Sequence, residues 1–269
     1  MKNNIVRSIS FYLLIVLMTS NIFSSTAQDK SQQPVFVLVH GAWHGGWCWQ
    51  KVSEKLRTEG SLVYTPTLSG MGEHKNTLSK AVDLNTHITD IVNLIVMEDL
   101  HHVVLVGHSY AGAVIAGVAD RVPERLEKLV YLDALLVKNG QSALSVNPKE
   151  SQDFFTKSAM DFDQGLSIPA PSSAWFGVTD STAIKWTNER LTNHPFKTFT
   201  QPLLLKHPYG NHLPLIFIAC TNPQLGAIDP FVRETKNSNE WKYYELKTGH
   251  DAMISMPNEL ATLLSSFNK

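Results

Sequence analysis

The chain has 269 residues, 43% of them hydrophobic and 17% charged, enough for one large core or for a core domain with an insertion. Its 23 Lys and Arg stand against 24 Asp and Glu, a formal net charge of −1. That balance leaves no nucleic-acid footprint and no polybasic membrane patch.

The first 27 residues differ from the rest. Lys2 and Arg7 precede an apolar run from Ile9 to Met18, and a small polar stretch ends Ser25-Thr26-Ala27. This is the layout of a secretory signal peptide with cleavage after Ala27. The run is shorter than the roughly 20 apolar residues a spanning helix needs, which argues against a retained anchor. The mature protein is therefore expected to be exported, to make no stable membrane insertion, and to fold from the residues beyond.

Pro34–Val39 is a continuous apolar run of strand length and reads as a buried parallel strand. It enters the turn His40-Gly41-Ala42-Trp43-His44-Gly45-Gly46-Trp47, followed by a helix from about Trp49 to Thr58. Ser61–Tyr64 is a short strand, and Thr65–Gly72 is a loop by composition. Ile88, Ile91, Val92, Ile95 and Val96 have helical spacing within about Leu84–Asp99. Val103–Val106 is the next strand, Leu129–Leu132 the one after it. From 134 to 212 prolines, glycines and scattered aromatics break the alternation, and this stretch is expected to be a mainly helical cap. Alternation resumes with the strand Leu213–Ala219, a helix at Pro230–Lys236, the strand Trp241–Leu246 and an amphipathic helix Pro257–Phe267. Strands alternating with helices predict an α/β fold, a mostly parallel sheet covered on both faces. The core is then 34–133 with 213–269, and the cap 134–212. Cys48 and Cys220, the two cysteines, do not make a disulfide framework and are expected to be separate buried thiols.

Chemistry in such sheets gathers at the carboxyl ends of the strands. One strand there runs into Gly107-His108-Ser109-Tyr110-Ala111-Gly112, a strand, a sharp turn and a helix with serine at the apex. The usual G-x-S-x-G has Ala111 at its last position and a glycine one step later. A serine hydroxyl is a weak nucleophile until a base takes its proton, and His250, in the loop Lys247-Thr248-Gly249-His250-Asp251, can be that base. The base needs a carboxylate to fix its tautomer. Asp133, 24 residues after Ser109 and directly after a strand, is the candidate, with a helix N-cap as its alternative role. Asp229 competes, although it equally suits the start of the helix at Pro230. Asp251 would have to fold back on its own neighbour. An oxyanion hole needs two preorganised amides, and those of Ala42 and Tyr110 are in the right places. Trp43, Trp47 and Trp49 either line an apolar pocket or pack the loop.

With these motifs on view, residues 34–267 resemble the α/β-hydrolase superfamily. His40-Gly41-Ala42-Trp43, Gly107-His108-Ser109 and Gly249-His250-Asp251-Ala252-Met253 are similar to one branch, the plant hydroxynitrile lyases, the methyl-salicylate-type esterases and their bacterial esterase relatives. The resemblance implies a Ser-His-acid triad, an oxyanion hole, a capped pocket, and no metal or organic cofactor. Two positions depart from it. The plant members carry the acid where this chain has Asn222, an amide without charge; other branches, such as the haloalkane dehalogenases, carry it where Asp133 stands. The lyases also have a lysine after the histidine to handle cyanide, where this chain has Asp251. The expected function is hydrolysis of a small apolar or aromatic carboxylic ester. A lyase reaction on the same residues and a non-catalytic ligand-binding homologue are the alternatives.

Overall fold

The computed structural model describes residues 33–268. The segment 1–27 read as an export signal lies outside the described residues. Their strands, in chain order, are β1 (Val35–Val39), β2 (Leu62–Tyr64), β3 (Val103–His108), β4 (Leu126–Leu132), β5 (Ser167–Ile168), β6 (His194–Pro195), β7 (Leu215–Cys220) and β8 (Trp241–Leu246). Six of them form one sheet in the order β2-β1-β3-β4-β7-β8. Every pairing in it is parallel.

Side chains alternate between the two faces of a strand, and the core divides accordingly. Val37, Leu105, Leu129 and Phe217 pack on one face against α2 (Leu84–Met97), α3 (Ala111–Arg121) and α7 (Asp229–Lys236). Phe36, Val104, Val130 and Ile216 pack on the other against α1 (Gln50–Thr58) and α9 (Pro257–Ser265). Both faces are therefore covered, and β3, at the centre, is buried along its whole length. This is why its sequence is an unbroken apolar run rather than an alternating one.

The expected strands all form, with shifted ends. β4 begins three residues early, at Leu126: Leu126 pairs with Val103 and Lys128 with Val104, and Glu127, exposed between them, is the extra residue at an irregularity in the register. β7 begins two residues late. Pro214 has no N–H to offer, and its carbonyl instead accepts from Leu129 at 3.0 Å. Residues 134–212 hold α4 (Lys149–Asp163), α5 (Ser181–Asn188), the short α6 (Phe196–Thr200) and the antiparallel pair β5/β6. A four-residue helix, α8 (Ala252–Ser255), precedes α9. Cys48 and Cys220 are both buried free thiols. Among the described residues no helix is long and apolar enough to cross a membrane.

Candidate active site

β3 delivers Ser109 to the carboxyl edge of the sheet, and the chain turns there through a left-handed backbone, with Ser109 at φ +55. A non-glycine residue in that region is strained and persists only when its surroundings hold it. Here the Ser109 N–H donates to Leu132 O at 3.1 Å, and Ser109 O accepts from Gly112 and Leu135, each at 3.0 Å. Close packing sets the glycines. A Cβ at Gly112 would lie 2.1 Å from Leu135 O, so only glycine lets the chain after β4 press onto α3. Ala111 is fully buried without such a conflict. The departure from G-x-S-x-G is thus explained: in this turn the close backbone approach falls on residue 112.

The segment admitted by Gly112 carries Asp133, itself left-handed at φ +44 and fully buried. Both carboxylate oxygens are used. Oδ2 accepts from His250 Nδ1 at 2.6 Å, and Oδ1 accepts from the Cys220 N–H at 2.9 Å. The Asp133 N–H donates to Ile218 O at 2.8 Å. Asp133 is thereby fastened to the end of β7, and with its proton on Nδ1 a neutral His250 keeps its lone pair on Nε2. His250 comes from the loop after β8, which passes so close to Gly177 that a Cβ at Gly249 would stand 2.6 Å from Gly177 O.

The other acids lie elsewhere. Asp229 is the first residue of α7, one position earlier than the sequence suggests, and Gln224 donates to it at 2.6 Å. Asn222 is exposed and donates its N–H to Thr248 O. Asp251 does not fold back on His250. Its Oδ2 lies 3.2 Å from His44 Nε2, and both side chains are buried. Where the lyases have their lysine, this chain therefore has a carboxylate that faces a histidine rather than the Ser109 cavity. His44 Nδ1 donates to Ala42 O at 2.8 Å. Both ring nitrogens of His44 thus face acceptors, an arrangement that favours the protonated ring. Burial alone would lower its pKa, but the Asp251 charge and hydrogen bond, with the Ala42 carbonyl, outweigh that and raise it.

Two further histidines frame the site. His40 Nε2 accepts from the Leu68 N–H at 3.0 Å and Nδ1 donates to Gly41 O at 2.8 Å, so the ring is neutral. Burial pulls its pKa down to about 3. His108 donates Nε2–H to the carbonyl of His250 at 3.1 Å and is also held neutral, by burial first and by neighbouring histidines next. A Cβ at Gly41 would lie 2.8 Å from His108 Nδ1 and 2.9 Å from Ser109 Cβ, so glycine is what brings the first turn against the serine. The partners of His44 and His108 lie 207 and 142 residues away, and no local pattern announces them.

Ser109 and His250 line one narrow cavity of about 40 Å³ together with Ala42, Trp43, Tyr110 and Phe176. Of the three loop tryptophans only Trp43 reaches it. Trp49 is fully buried in the core and Trp47 stacks on His44, so one lines the site and two pack the loop.

Residues 36–263 match the model of the alpha/beta hydrolase family. The chain belongs to that family. It is 37% identical over 239 residues to a carbendazim hydrolyzing esterase from Nocardioides, covering 86% of this chain and 98% of that one. It is 29% identical to methylesterase 10 of Arabidopsis thaliana, over 88% and 92% of the two chains. A solved extracellular alpha/beta-hydrolase from a Paenibacillus species, described as sharing structural and functional homology with tobacco salicylic acid binding protein 2, superposes with a TM-score of 0.76. It is 25% identical, over 87% of this chain and 98% of that one. This alpha/beta hydrolase is accordingly a carboxylesterase-like enzyme.

Proposed function

We propose that this hydrolase cleaves a small ester of an aromatic or apolar acid by acyl transfer through Ser109. His250 Nε2 takes the proton as Ser109 Oγ attacks the ester carbonyl, and the imidazolium so formed is stabilised by Asp133. The amides of Ala42 and Tyr110 receive the oxyanion; Tyr110 stands at the start of α3, where first-turn N–H groups have no acceptor within the helix. The tetrahedral intermediate collapses, and the alcohol leaves with the proton from His250. Water, deprotonated by His250, then attacks the acyl-enzyme and frees the acid and Ser109.

The single observation that carries this is the His250–Asp133 pair, with both carboxylate oxygens engaged, on the same cavity as a serine held in a left-handed turn. The small cavity and the methylesterase relatives favour a small alcohol such as methanol. The decisive experiment is Ser109→Ala with p-nitrophenyl acetate, beside labelling of the wild type by a fluorophosphonate. Turnover should fall roughly 10³-fold or more, with the label on Ser109. Undiminished turnover in the variant would overturn the proposal. The pattern Lys2, Arg7, Ile9–Met18 and Ser25-Thr26-Ala27 further supports export, which an N-terminus beginning at Gln28 in the secreted fraction would establish.

A further inference from the structure

A second cavity, about 340 Å³, lies beside the one that holds Ser109. Phe154, Ser158, Ile168 and Ala170 line it, and Ser158 brings its one hydroxyl. Three aromatic residues, Trp43, Phe155 and Trp175, line both cavities and form the wall between them. The inner space, about 40 Å³, holds roughly three water-sized groups, which suffices for a reacting carbonyl and a methyl-sized alcohol but not for a bulky acid. An apolar hollow of the outer one's size is of the kind that takes up the greater part of a small ligand.

The wall is not uniformly fixed. Trp43 is pinned, its Nε1 donating to Ile168 O at 3.2 Å and its carbonyl accepting from the Thr192 N–H at 2.9 Å. Phe155 is 7% exposed on α4. Trp175 is 50% exposed, in a single helical turn (Ser173–Phe176) that ends at the left-handed Gly177. Of the three, Trp175 has the least packing to give up when it turns.

We propose that the outer cavity binds the larger apolar or aryl half of the ester, with Trp175 the movable side chain that joins it to the Ser109 cavity. This rests on the reading of Ser109 as nucleophile. The carbonyl then sits at Ser109 with its small alcohol, and the acid's chain passes between Trp43 and Trp175 to lie among Phe154, Ile168 and Ala170. Aromatic walls of this kind recognise flat apolar groups through burial and ring contact rather than hydrogen bonds.

The test is the ratio of kcat/KM for methyl 4-phenylbutanoate to that for methyl acetate. Ala170→Phe fills the outer cavity from one wall and Ser158→Asp places a charge in it from another; each should lower the ratio at least tenfold. Trp175→Ala opens the wall and should raise it at least threefold. Ratios that do not move in these variants overturn the proposal. Calorimetry in the Ser109→Ala background separates this from the catalytic assignment: methyl 4-phenylbutanoate should bind one-to-one, and Ala170→Phe should abolish that binding. If wild type hydrolyses neither ester but this binding is seen, the nucleophile assignment fails while the outer site stands. No binding in the Ser109→Ala protein overturns the outer site.

Discussion

Two buried histidine–carboxylate pairs sit within a few residues of each other in this enzyme, and they are wired differently. His250, on the wall of the Ser109 cavity, meets Asp133 at 2.6 Å; His44 and Asp251, neither of which lines that cavity, meet at 3.2 Å. The difference lies in the second ring nitrogen. In His250 it meets no acceptor among the described residues and is left to the cavity that Ser109 also lines. In His44 it donates to the Ala42 carbonyl, so neither ring nitrogen is left free to take up a proton from a substrate. The second pair instead ties the turn that bears Ala42 to the loop that bears His250. A histidine beside an aspartate is therefore no sign of catalysis by itself; what the ring's other nitrogen faces decides it.

Breaking each pair should separate the two roles. Under the proposed mechanism Asp133→Asn removes the charge behind His250 and should lower kcat by about 10⁴-fold. Asp229→Asn, on α7, should leave it within about twofold; loss only in the second variant would move the acid to Asp229. Asp251→Asn should act on stability first. It leaves the buried His44 cation without its partner, at a cost of roughly 3–5 kcal/mol. For a chain of this size that is a fall in Tm of about 10 °C by calorimetry, with a kcat loss well below that of Asp133→Asn.

A smaller effect is in pH. His44 has a raised pKa when folded, so its contribution to stability is complete below the ordinary histidine value of 6.5 and is lost as pH rises through the raised one. As pH rises above about 6.5 toward the raised value, stability of the wild type should fall more steeply than that of His44→Gln, by up to about 1.4 kcal/mol per pH unit. Equal slopes in denaturant melts would mean that His44 is not charged. His40 acts in the opposite sense. Held neutral with a pKa of about 3, it contributes fully above pH 6.5 and loses that contribution as pH falls toward 3.

Much of the frame was legible before any coordinates. Runs such as Val103–Val106 announce buried parallel strands because both of their faces are covered, and the serine, histidine and aspartate stand at strand ends because that is where loops open. The less regular parts were not. The start of β4 carries two consecutive charged residues, one of them unpaired at the irregularity, which gives no strand pattern, and only the approach of Leu135 O shows that residue 112 rather than 111 needs glycine.

What the sequence determined by itself was the alternation of strands and helices, the turn that presents Ser109, and the short set of acids that could serve His250. These are local properties, written in periodicity and in turn chemistry. Which acid reaches His250, what Asp251 faces, and which tryptophan lines the cavity were decided only by tertiary structure. Asp133 and His250 are 117 residues apart and His44 and Asp251 are 207 apart, so their pairing depends on the order β4-β7-β8 and on where each loop is fastened. A hydrogen bond is a matter of a few tenths of an ångström, and across such separations only the packed sheet sets distances that finely.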